Sequence, residues 1–388
     1  MKYLKIFGLD RMRFNRAVDV LNHAGMEFSN SIPRSSYGGM GMVSNSKDLG
    51  LPQIAFTVIN SSSGTRIGAS LLRLGSLCGD RDVTELTFGF RWRPSLYRGG
   101  VNYPFLGLYT ANITGSTSNT LPTIYIPPFT AQLVNTGPAA GYYEFTFTVY
   151  PQNTNTPGKL EIFLDKRLLS TQALPAAEWN SATLKTRYLG FGAQTSSLPA
   201  FTGTTTNDGA IDDAVFFLSD MYAHCDDALA DGSTRLGNVT VVRLPAAADS
   251  DIPFTAYSAS GVTAPDKVGV LNTNLLGPTQ YPTLATDGVT LPVQLKLDVS
   301  SLTDASKILA VSGEAYGMTL SGQSSDIKVN WKYGDIVGPV TTARLIQWPA
   351  WATPSSVAPD SIREMPDGTA ITKEKLTTLE WVVTPSPI

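Results

Sequence analysis

Residues 83–92 read Val-Thr-Glu-Leu-Thr-Phe-Gly-Phe-Arg-Trp, and their alternation decides the fold class. Leu86, Phe88, Phe90 and Trp92 occupy every second position. In an extended chain successive side chains point to opposite faces, so these four share one side and the residues between them the other. Residues 143–150 repeat the pattern, with Tyr143, Phe145, Phe147 and Val149 inward, and so do residues 53–59, with Ile54, Phe56 and Val58. Strands with one buried and one wet face suit antiparallel sheets packed as a sandwich.

Moving outward, residues 160–169 read as two short strands around a tight turn at Asp165-Lys166. Residues 188–192 form another strand, and residues 209–218 lead into a further apolar run. Helical periodicity is confined to Arg13–Ala24 and Thr372–Leu379. The segments 114–120 and 203–209, rich in Gly, Ser and Thr, read as surface loops. Composition agrees. Charged residues make up 16% of the 388, and Gly and Pro number 34 and 25. A chain sparing in charge and rich in turn formers folds as strands joined by turns. With 42% hydrophobic residues it has material for a sizeable core, which a disordered chain lacks.

The turn-rich stretch Pro245–Pro253 divides the chain. Residues 1–248 are expected to form one sandwich and residues 249–388 a smaller β-rich region for assembly contacts. The second block carries strand signals at residues 293–299, 308–312, 326–332 and 341–348. The tail from Trp381 onward, which ends in prolines, reads as an extended surface strand or arm.

Charge and rare residues narrow the chemistry. Basic residues number 29 and acidic 32, a net charge of −3. No basic surplus exists to release counterions from nucleic acid, so nucleic acid is not an expected partner. His23 and His224 are the only two histidines, too few for a multi-histidine metal site in one chain. Cys78 and Cys225 fit no CxxC zinc pattern and are expected to be buried and reduced. The opening residues MKYLKIFGLDRMRFN lack the apolar core of a secretory leader. No stretch approaches the ~20 apolar residues of a spanning helix, so neither export by a leader nor membrane insertion is expected.

Two enzymatic arrangements find little support. His224-Cys225 are sequence neighbours, which does not set a nucleophile against its base. Glu161 and Asp165 share a strand face only if the strand runs unbroken through Asp165, where a turn is expected, so they do not make an evident glycosidase pair.

Ile211-Asp212-Asp213-Ala214-Val215, followed by residues 232–249 (GSTRLGNVTVVRLPAAAD), resembles a family of tailed-bacteriophage virion proteins with a concanavalin A-like, laminin-G-like jelly roll. Met26-Glu27-Phe28 and the 160–168 hairpin sit where that family has strands. Residues 365–370 (MPDGTA) and 376–380 (LTTLE) look like its closing segment. The motifs are short but run in order through most of the chain. The acidic, Ala-rich stretch Tyr222–Ala230, read as a loop, and Lys373-Glu374-Lys375 depart from the family pattern.

The resemblance implies a non-enzymatic structural component of a virion (tail, collar, fibre or capsid decoration), assembled in the host cytoplasm. Its partners would be other virion proteins and further copies of itself, a trimer being the expected oligomer. The alternatives it leaves open are a glycan-binding adhesin at the phage tip and a polysaccharide-degrading enzyme on the same fold. Laminin-G-like domains hold calcium at one rim in some cases, which makes Asp212, Asp213, Asp226 and Asp227 the candidate Ca²⁺ ligands, with Asp220 and Asp231 nearby. The alternative for these aspartates is capping of turns. For a host surface glycan, Tyr97 and Tyr103, in a Gly/Pro-rich stretch, are the preferred stacking platforms over Tyr109, Trp92, Trp348 and Trp351. Trp92, at period two, is expected in the core.

Overall fold

The computed structural model describes residues 3–7, 26, 28–30, 39–45, 53–59, 66–94, 102–111, 122–126, 139–195, 214–226, 234–253, 255–257, 268–269, 283–285, 292–313, 315–319, 325–344, 346–347, 355–357 and 361–387. The chain divides into two units, Met1–Val241 and Val242–Ile388. The expected helix at Arg13–Ala24 and the loops at 114–120 and 203–209 lie outside the described residues.

Unit 1 is an antiparallel β-sandwich. Its strands are β1 (Tyr3–Phe7), β2 (Phe28–Asn30), β3 (Gly39–Asn45), β4 (Gln53–Ile59), β5 (Arg66–Arg73), β6 (Glu85–Pro94), β7 (Asn102–Tyr109), β8 (Ile124–Tyr125), β9 (Gly141–Thr148), β10 (Gly158–Leu164), β11 (Arg167–Leu174), β12 (Tyr188–Thr195) and β13 (Ala214–Cys225). One sheet of eight strands runs β11-β10-β9-β6-β13-β4-β3, with β1 also on β13; the other runs β2-β5-β12-β7-β8. The chain changes sheet between β1 and β2, β2 and β3, β4 and β5, β5 and β6, β6 and β7, β8 and β9, β11 and β12, and β12 and β13, the wiring of a jelly roll.

The period-two runs supply the layer between the sheets. Leu86, Phe88, Phe90 and Trp92 of β6 and Tyr143, Phe145 and Phe147 of β9 pack with Leu106 and Leu108 of β7 and Leu189 and Phe191 of β12. Trp92 stacks on Phe216 with ring centroids 4.3 Å apart, and Phe90 meets Phe191 edge-on at 6.0 Å. Each fully buried ring of this kind contributes roughly 2–3 kcal/mol of transfer free energy. Cys78 and Cys225 are free thiols, both buried.

β10 and β11 form the expected hairpin. Asp165 and Lys166 both take positive φ, 47° and 74°, the geometry of a two-residue turn whose twist matches its strands. β13 corrects the sequence reading: the stretch from Tyr222 continues as strand to Cys225 rather than opening as a loop. Its polar residues face outward while Met221, Ala223 and Cys225 join the core. A register shift at Ser219/Tyr222, with Asp220 at φ 49°, bends the strand. Its first half then takes β4 and its second half β1, while β6 runs along its other side.

Unit 2 contains β14 (Thr255–Tyr257), β15 (Thr283–Ala285), β16 (Val293–Lys296), β17 (Ala315–Thr319), β18 (Ser325–Tyr333), β19 (Ile336–Val337), β20 (Thr341–Arg344), β21 (Ile346–Gln347), β22 (Ser355–Val357), a single-turn helix at Lys373–Leu376 and β23 (Leu379–Pro387). The main sheet runs β16-β23-β18-β19, with β20 also on β18. The last strand is therefore interior, not a surface arm. Trp381 and Val382 are buried, and Trp381 lies 4.6 Å from Trp331 across the β18–β23 pair. At 308–312 the expected strand reduces to one bridge, Val311 to Ile362. The helix read over Thr372–Leu379 is one turn, capped by the Thr372 hydroxyl accepting from Lys375 N at 3.2 Å.

Candidate functional site

The strand period that sends aromatic rings inward sends a second set of side chains to the outer face of the eight-stranded sheet. Pairing aligns them in rows across β9, β6 and β13. Thr146, Thr87 and His224 form one row, and Glu144, Gly89 and Tyr222 the next. Tyr142 stands opposite Arg91 in the third. An outer face is ordinarily wet. Here Thr87 and His224 are fully buried, and Glu144 and Tyr222 are each 1% exposed. What covers them is the segment 234–241, which crosses the face as a strap without strand structure of its own.

Side chains hold the strap. Tyr222 donates its hydroxyl to Glu144 Oε1 at 2.5 Å, and the same hydroxyl accepts from Leu236 N at 2.9 Å. Gly237 N donates to Glu144 Oε1 at 2.8 Å. Val241 N donates to Asp220 Oδ1 at 2.9 Å, while Asp220 Oδ2 holds Arg91 Nε at 2.7 Å. His224 Nδ1 donates to the Thr234 carbonyl at 2.7 Å. Arg235 lies over the Phe163 ring, 3.7 Å from its centroid, and Asn238 Nδ2 donates to Asp165 Oδ1 at 2.9 Å.

A run of hydroxyls completes the network and has a definite direction. Thr234 donates to Glu85 Oε1. A hydroxyl carries one hydrogen, so Thr87, 2.6 Å from Thr234, donates to it, and Thr146, 3.0 Å from Thr87, donates in turn. The protons point from Thr146 through Thr87 and Thr234 to the Glu85 carboxylate.

Two glycines make the close approach possible. A Cβ on Gly89 would lie 2.1 Å from the Tyr222 ring, so that ring lies directly across the β6 backbone. Gly237 sits at φ +77°, where L side chains are strained, and a Cβ there would lie 2.8 Å from Lys166 Cε. Burial, followed by the nearby Glu144 charge, raises the Tyr142 and Tyr222 hydroxyls well above the ordinary tyrosine value. Both therefore stay O–H donors at neutral pH. Chemically the face is a receptor for extended backbone: carboxylates and a phenol oxygen accept N–H groups, and an imidazole reads a carbonyl.

The sequence candidates fall elsewhere. Asp226 Oδ1 accepts from Thr84 N at 2.9 Å, Thr84 Oγ1 at 3.0 Å and Glu85 N at 3.0 Å, which ties the end of β13 to the start of β6. Asp212, Asp213, Asp227 and Asp231 lie outside the described residues, as do Tyr97, His23, Trp348 and Trp351. Among the described residues no three His, Cys, Asp or Glu side chains gather as a metal site. Tyr103 lies on β7 opposite Gln194. Glu161 pairs with Lys159 at 2.9 Å, and Asp165 sits in the hairpin turn accepting from Tyr142 N at 3.1 Å. The strap face was not among the sequence candidates. Its one advance signal was the set of polar residues alternating with the aromatic ones.

Two apolar edges stand exposed. Among the described residues β11 has a strand neighbour on one side only, and it presents Leu168 and Leu169 to solvent. In unit 2 the hairpin joining β18 and β19 exposes Ile336, Val337 (58%) and, just beyond, Val340.

No family model matches the chain, and no curated protein matches it. A solved structure that does is the N-terminal CBM22-1–CBM22-2 tandem domain of Xyn10C from Paenibacillus barcinonensis. It is 8% identical, over 100% of this chain and 99% of that one, with a TM-score of 0.22. At that score the likeness is too loose to bear on fold or ligand.

Proposed function

We propose that this chain is a non-enzymatic structural subunit of a tailed-phage virion, present in many copies and working through protein–protein interfaces. The observation that carries the reading is the pair of exposed apolar edges, Leu168–Leu169 on β11 and Ile336, Val337 and Val340 on the unit 2 hairpin. An open sheet edge is a template for pairing with another chain, and proteins that stay monomeric blunt such edges with charge. Along β11 only Arg167 is charged. Exposed clusters of this kind mark contact surfaces. The resemblance of residues 211–249 and 365–380 to virion proteins supplies the setting. The low charge of the chain fits interfaces in which few ions have to be desolvated.

Gold-labelled antibody against the chain, applied to purified phage particles and viewed by electron microscopy, tests the proposal. Label at one repeated position on the particle is the expected result. Particles that carry no label while the free protein is detected would overturn it.

A further inference from the structure

We draw no further inference here: the strongest candidate, the edge of the eight-stranded sheet at β11, which among the described residues has a strand neighbour on one side only and exposes Leu168 and Leu169, carries nothing beyond the contact surface already proposed, because nothing in the structure shows what covers it.

Discussion

Tyr222→Phe removes one oxygen from the centre of the strap network and leaves the ring on Gly89 in place. The lost oxygen makes two hydrogen bonds: it donates to the Glu144 carboxylate at 2.5 Å and accepts from Leu236 N at 2.9 Å. A hydrogen bond to a charged group contributes roughly 1.5–3 kcal/mol and a neutral one about 1. Glu144 retains the Gly237 N–H, and Leu236 is only half-buried, so water replaces part of the loss. The sum is about 3 kcal/mol. Unit 1 spans Met1–Val241, and for a domain of that size each kcal/mol moves Tm by roughly 2–4 °C. The unit 1 transition should therefore fall by roughly 6–12 °C in differential scanning calorimetry. The unit 2 transition should not move, because each unit has its own core. A double-mutant cycle with Glu144→Gln should return a coupling of at least ~1 kcal/mol. A loss under about 1 kcal/mol, or a coupling near zero, would refute the claim that this hydroxyl anchors the strap.

Other expectations follow from the same geometry. Gly237→Ala places a Cβ at φ +77° against Lys166 and should destabilise unit 1 by roughly 1–3 kcal/mol in urea titration, whereas a change at the exposed Gly334 of unit 2 leaves the unit 1 midpoint alone. Burial lifts the Cys78 thiol to about 11 from 9.0. A raised folded-state value means that its contribution is complete below pH 9 and is lost as pH rises through 11, so stability should fall across that window. Cys78 should also resist iodoacetamide at pH 8 until the chain is unfolded, as followed by mass spectrometry. Trp381→Ala, which empties the ring packed on Trp331, should cost roughly 3–5 kcal/mol and lower only the unit 2 transition.

Much of unit 1 was legible because its core is written in the local alternation of β6 and β9, and because Asp165-Lys166 is turn chemistry that needs no tertiary context. The extent of β13 was not legible. Tyr222 and His224 look like loop residues until the strap that buries them is known. The interior position of β23 was hidden by Pro385 and Pro387, residues that usually mark a strand as peripheral. The strap face itself depends on three strands far apart in sequence coming into register, so that Glu144 stands opposite Gly89 and Gly89 opposite Tyr222. No window of neighbouring residues contains that information.

The ring of Tyr222 lying across the backbone at Gly89 has an evolutionary consequence. Gly89, Glu144, Tyr222 and Gly237 form one geometric unit, so drift at any of them should be tolerated only when the others change with it. Divergent relatives should keep or lose these four positions together while the surrounding surface varies freely. That joint pattern, a glycine, an acid, a tyrosine and a second glycine spread over about 150 residues of sequence, is a fingerprint by which kinship too remote for overall identity could be recognised.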